Sequence, residues 1–133
     1  IDTGPFRVLL MSDAGAETES HLAQHRAAEL RADILVLGRH GNDLFATGEF
    51  LAAVQPRAVI LAARDPFRHG LDEVSLRTRL AATGAEVFAQ DECGAVITTF
   101  RHDHAELHGF IDDRRISLTP RSTKPEPRDS NGD

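Results

Sequence analysis

The sequence has too few thiols for a disulfide framework. Its single cysteine, Cys93, excludes an internal disulfide and any multi-thiolate metal site. No apolar run approaches the roughly 18 residues needed to span a bilayer. No signal peptide opens the chain, which starts at Ile1-Asp2-Thr3 and reads as a fragment or a trimmed form. Positive charge is in deficit as well. The net charge of -6 argues against a protein that holds nucleic acid mainly through clustered Lys and Arg. It leaves room for a nucleic-acid enzyme whose metal ions supply that charge. Neither common Gly-rich phosphate loop occurs, which counts against a nucleotide-binding domain. What remains is 133 residues, 41% of them hydrophobic and 27% charged, which is one folded domain's worth with a sizeable core.

The apolar segments alternate in type. Phe6 to Met11 is a short run without helical period and predicts a buried strand, ended by the turn-forming Ser12-Asp13-Ala14-Gly15. From Thr18 to Leu30, the spacing of Leu22, Ala23, Ala27 and Leu30 predicts a helix, with Thr18 and Ser20 as candidate N-caps. Asp33 to Gly38 and Ala58 to Ala62 predict further strands. Gly48 to Val54 predicts a short helix that buries Phe50, Leu51 and Val54 and stops at Pro56. Leu71 to Ala82 predicts another helix, burying Val74, Leu76 and Leu80 and closed by Gly84. Ala85 to Ala89 and Ala95 to Phe100 predict strands joined as a hairpin through Asp91-Glu92-Cys93-Gly94. A last hairpin joins residues 107–111 to 115–118 around Asp112-Asp113. Residues 119–133 hold nothing apolar to anchor them and predict a disordered tail. Such alternation gives an α/β layer structure of about five to seven strands with three helices. Near-continuous apolar strands imply faces covered by helices, with the last strands added as a β-rich edge.

In an open α/β sheet, ligands gather beyond the carboxyl ends of the strands. Three polar groups fall there: Asp13, His40 and the loop from Asp65 to His69. One carboxylate with imidazoles suits a divalent ion such as zinc or manganese. Taken singly, an Asp after a strand is most often a turn residue or helix cap, and a His beside a Gly is a loop residue. Their recurrence at successive strand ends is what favours a site. His102 and His104 would share a face on a strand, yet an exposed polar strand or loop is the better reading. Cys93 reads as a hairpin residue rather than a nucleophile, because no His–carboxylate partner adjoins it.

The order of these pieces resembles the C-terminal half of the metallo-β-lactamase-like domain of ComEC-type DNA-uptake competence proteins. The likeness runs from about Arg7 to Phe100. The family's strand, Gly-Asp and helix-start Glu correspond to Val8-Leu9-Leu10-Met11-Ser12-Asp13 and to Glu17 or Glu19. Its Ala-Asp, strand and His-His-Gly-Ser correspond to Ala32-Asp33, Ile34 to Gly38, and Arg39-His40-Gly41-Asn42. Phe50-Leu51-Ala52-Ala53-Val54-Gln55-Pro56 fills its Phe-Leu-x-x-Val-x-Pro segment, and Phe67-Arg68-His69-Gly70 stands where it has a loop ending in His-Pro. Thr83-Gly84-Ala85-Glu86-Val87 and Gly94-Ala95-Val96-Ile97 complete the pattern.

The resemblance implies the second half of an αββα sandwich over residues 1–118. It implies Asp13 as a carboxylate bridging two metal ions, His40 as an imidazole ligand, and His69 near substrate or behind a ligand. The ions, zinc or manganese, would serve phosphodiester cleavage in a nuclease linked to DNA uptake. The parent protein would be bacterial and held in the inner membrane, with this domain soluble and extracytoplasmic. Several departures weaken the match. Ser12 replaces Gly, Arg39 replaces the first His, Asn42 replaces Ser and Gly70 replaces Pro. The His-x-His-x-Asp-His motif that supplies most ligands belongs to the N-terminal half, outside this chain. The isolated chain is therefore expected to be inactive and to hold no metal or only a partial site. With one face of its sheet deprived of that N-terminal half, it is expected to self-associate. The chief alternative is a non-catalytic module that keeps the fold and has lost metal binding. An unrelated doubly wound α/β binding domain is a third.

Overall fold

The structure is a computed structural model that describes residues 1–38, 44–62 and 73–122. Residues 39–43, 63–72 and 123–133 lie outside the described residues, and with them His40, His69 and the loop from Arg64 to Gly70. The expectation for Val74 also falls outside what is described.

Eleven elements alternate as expected for an α/β chain. They are β1 (Val8–Ser12), α1 (Ala16–Leu30), β2 (Ile34–Leu37), α2 (Gly48–Val54), β3 (Ala58–Leu61), α3 (Glu73–Ala82), β4 (Glu86–Ala89), α4 (Gln90–Cys93), β5 (Val96–Phe100), β6 (Ala105–Gly109) and β7 (Arg115–Leu118). The first four strands form a parallel sheet in the order β1-β2-β3-β4. Each crossover steps the same way and is right-handed by rule, so the helices gather on one face. Alternate strand residues record this. Met11, Leu35, Leu37, Val59 and Leu61 pack with Leu30 of α1, Phe50, Leu51 and Val54 of α2, and Leu76 and Leu80 of α3.

The opposite face corrects the sequence reading. It is covered by sheet rather than by helices. Strands β5, β6 and β7 form a separate antiparallel sheet, not an edge of the first. Ala105, Leu107 and Leu118 from it enclose Phe6, Ile34, Ala58, Ile60 and Phe88. The expected β4–β5 hairpin is therefore absent. One helical turn, α4, carries the chain between sheets, and Gly94 at φ 71° completes the change of direction. The β6–β7 hairpin forms as expected.

Two helix details also differ. The N-cap of α1 is Gly15, with no side-chain cap, in place of Thr18 or Ser20. Ala27, expected inward, is exposed, because the kink of α1 at Arg26 (φ -135°, ψ 20°) breaks the helical spacing there, while Leu30 still reaches the core.

The amino end of the parallel sheet is closed around one acid. Asp33 is 4% exposed. It accepts hydrogen bonds from the Arg7 backbone N–H at 3.0 Å, the Arg121 guanidinium at 2.8 Å and Arg57 at 3.5 Å. Arg121 also donates to the carbonyls of Ala32 and Gln55, and Arg57 to that of Thr119. A buried carboxylate is tolerated only with such partners. These bonds tie residues 119–121 to the sheet, so the segment expected to be loose from residue 119 begins with a docked stretch.

Candidate functional site

The carboxyl end of the parallel sheet differs in character. β1 pairs with β2 in regular register up to Leu10, then slips, so that Ser12 rather than Met11 faces Leu37. This bulge turns the strand's end. Ser12 has φ 48°, the left-handed region that glycine enters freely and other residues enter at a cost of about 1 kcal/mol or more. Beside it lies Gly38, just past β2. A Cβ built on Gly38 would meet the Ser12 carbonyl oxygen at 2.0 Å. Only glycine fits this crossing of two backbones. The Gly expected in the Ser12 place thus has a conformational reason, and Ser12 accepts the strain.

Asp13 follows in the turn, closed by the Ala14 N–H donating to the Met11 carbonyl at 2.9 Å. Asp13 is exposed. Its carboxylate accepts no hydrogen bond from any described residue, and among the described residues it is neither a helix cap nor half of an ion pair. An unpartnered carboxylate on a bulged strand end fits a single oxygen donor to a hard or borderline divalent ion. No group of three or more His, Cys, Asp or Glu gathers among the described residues. In the sequence His40 follows Gly38 by two residues, and it lies outside the described residues.

The segment from Leu44 to Thr47 is anchored by residues with no signal in the apolar pattern. Glu19, on α1, is fully buried. Its two carboxylate oxygens accept the N–H groups of Ala46 and Thr47 at 2.7 and 2.8 Å. From α3, Arg79 donates through Nε to the Ala46 carbonyl at 2.8 Å and through Nη2 to that of Phe45 at 3.0 Å. The Ala16 N–H donates to the Leu44 carbonyl at 3.0 Å. An acid and a base thereby grip both edges of one peptide strip. The grip holds Ala46 at φ 52° with its side chain in the core. Each bond to a charged group contributes about 1.5–3 kcal/mol. Of the two acids matched to the resembled helix-start Glu, Glu19 is thus a loop clamp, whereas Glu17 is exposed. The Thr47 hydroxyl is enclosed without a partner among the described residues.

The remaining candidates fall away from this end. His102 and His104 lie in the β5–β6 connection rather than on a strand, and His104 pairs with Asp103 at 2.8 Å. That bond, foremost, holds the Asp103 carboxyl below its ordinary range. Cys93 sits in α4 rather than in a hairpin and is buried. Burial and the nearby Asp112 charge push its thiol up, opposite to what a nucleophile needs.

Between the two sheets an apolar groove of about 340 Å³ stays open. Val8, Leu10, Val36 and Ile60 line one wall, and Val96 and Phe100 the other. Leu10 is 54% exposed, although it sits on a sheet face. No helix among the described residues is long and apolar enough to cross a membrane.

Comparison with known proteins supplies one relationship. Over 95 residues, 70% of this chain, the sequence is 28% identical to the competence protein ComA of Neisseria gonorrhoeae. The aligned part is 14% of that protein. The chain is therefore similar to a small part of a bacterial competence protein. No protein-family model matches the chain, and no solved structure matches it.

Proposed function

We propose that this chain is the C-terminal half of a metallo-β-lactamase-like domain in a longer bacterial DNA-uptake protein, and that the domain is a metal-dependent phosphodiesterase acting as a nuclease. Asp13 and His40 are the ligands this half contributes, and His69 lies near substrate or behind a ligand. Zinc or manganese, when bound, supplies an activated hydroxide and charge for in-line attack on a phosphodiester. The observation that carries the reading is Asp13. It is exposed at a bulged strand end and has no partner among the described residues, and in the sequence His40 follows the end of the neighbouring strand β2 by three residues. The stacking of a helix layer, a parallel sheet and a second sheet supports it, as does the likeness to a competence protein. The open groove beside Leu10 supports the N-terminal half of the domain as the missing partner, and self-association when that half is absent. In this reading the domain is extracytoplasmic and its parent lies in the inner membrane.

Arg39 favours a second reading. It occupies the place of the first His in the resembled pair, and a guanidinium does not ligate metal. A domain that kept its fold and lost its metal would serve as an interaction module.

One experiment separates them. The full-length protein is assayed for cleavage of labelled DNA with manganese and with zinc, beside Asp13→Asn, His40→Asn and the isolated chain. The nuclease reading expects cleavage by the full-length protein, loss of roughly a hundredfold or more in both variants, and none from the isolated chain. Unaltered cleavage in Asp13→Asn, or no cleavage by a full-length protein that still supports DNA uptake, overturns it. The second outcome leaves the module.

A further inference from the structure

The outer face of α1 carries two histidines one turn apart, away from the site at the sheet's carboxyl end. His21 and His25 are both exposed, so neither serves the core. Residues four apart on a helix are neighbours by geometry alone. Here the imidazoles are also in contact, with ring centroids 4.4 Å apart and planes 24° apart. A separation of that order lets one nitrogen from each ring reach a common ion at about 2.0–2.1 Å after small side-chain rotations. The Nδ1 atom of His25 lies 2.9 Å from the His21 carbonyl oxygen. A carbonyl only accepts, so this nitrogen carries the proton and the lone pair is left on Nε2. A backbone carbonyl holds metal-bound imidazoles in the same way, fixing tautomer and ring direction.

We infer that His21 and His25 form a two-imidazole site for a borderline divalent transition ion, separate from the proposed Asp13 centre. Two nitrogen donors exclude magnesium and calcium, which require oxygen cages. They favour copper(II) over nickel(II) and zinc by the general order of divalent affinities. Water completes the coordination, because no third His, Cys, Asp or Glu joins the pair among the described residues. The site sits on the turn just before the kink at Arg26, where the His25 ring adds a side-chain partner to the helix ladder. A bound ion would brace that turn. The inference stands whether or not Asp13 and His40 bind metal.

The test is calorimetric titration of the untagged chain with copper(II), nickel(II) and zinc salts. Wild type is compared with His21→Asn, His25→Asn and the double variant His102→Asn/His104→Asn. The expected result is saturable binding of about one copper(II) ion, tighter than nickel or zinc. His21→Asn and His25→Asn should each lose roughly tenfold or more in affinity, while the double variant keeps it. A melting temperature raised by copper in wild type, and not in His21→Asn, should accompany it. Three outcomes overturn the inference: no binding by wild type, affinity unchanged in both α1 variants, or a loss confined to the double variant.

Discussion

Two aspartates stand at opposite ends of the same parallel sheet, and their surroundings are unlike. Asp33, just before β2, is buried and accepts from a backbone N–H and two arginines. Asp13, just after β1, is exposed and accepts from no described residue. The first is satisfied in the way a carboxylate must be to fold inside a protein. The second contributes no described contact to the fold. Around Asp33 the strand register is regular, although Gln55, whose carbonyl joins the same cluster, is also left-handed at φ 51°. Around Asp13 there is a register slip, a left-handed Ser12 and a glycine wedged against a carbonyl. Strain of this kind is kept where surrounding structure enforces it, and it collects at functional ends. The contrast separates an acid that holds the sheet from an acid with no partner among the described residues.

Substitutions at the two ends test that division, and the largest effect belongs to Gly38. In Gly38→Ala the added methyl would sit 2.0 Å from the Ser12 carbonyl oxygen, which is backbone and has no side-chain freedom to yield. A loss of about 4 kcal/mol is expected, at the upper end for an overpacked site. Urea denaturation reads it as a midpoint lowered with the slope unchanged. A loss under about 1 kcal/mol would show that the crossing is loose. At the other end, Asp33→Ala leaves two guanidinium groups and a backbone N–H without their acceptor. About 3 kcal/mol is expected. Limited proteolysis should then cut near Arg121, because the bonds tying that residue to the sheet are weakened.

Glu19→Gln comes next, at about 2 kcal/mol. The amide keeps one oxygen for Ala46 or Thr47 and turns an NH₂ toward the other N–H. This variant sharpens the comparison, since Glu19 is a buried acid at the same end as Asp13. A structural role predicts lost stability and faster amide exchange at Ala46 and Thr47. Unchanged exchange at both would remove the clamp.

These three residues also mark what could be read from the sequence. The strands and the three longer helices were legible because each is a distinct apolar segment, whereas crossover handedness fixes the face the helices take and not the strand order. Asp13 was legible because a polar residue directly after an apolar strand lands at the sheet's carboxyl edge. Glu19 and Asp33 were not legible as buried groups. A charged residue predicts an exposed position, and burial became affordable only through donors from distant segments, Ala46, Thr47 and Arg121. The second sheet was hidden for a related reason. Gln90-Asp91-Glu92-Cys93-Gly94 has turn chemistry that suits both a hairpin and a helical turn, and β5 takes its partner from later in the chain. Ala27 shows the same limit within one element, since its spacing suits the buried face but the kink at Arg26 removes it.

The smallest expected effect is at Ser12, and its sign is the informative part. Ser12→Gly removes the cost of holding a side chain at φ 48°. It also gives the unfolded chain more freedom, worth about 0.4–1 kcal/mol in the opposite sense. With left-handed strain at about 1–2 kcal/mol, a net gain of about 0.5 kcal/mol is expected. The hydroxyl offers nothing to offset this, as it makes no hydrogen bond to any described residue. If Ser12→Gly stabilises, the carboxyl end holds conformational strain that the fold alone does not require. If it destabilises by 1 kcal/mol or more, Ser12 is at ease in its turn, and the case for a functional end rests on the exposed Asp13 carboxylate.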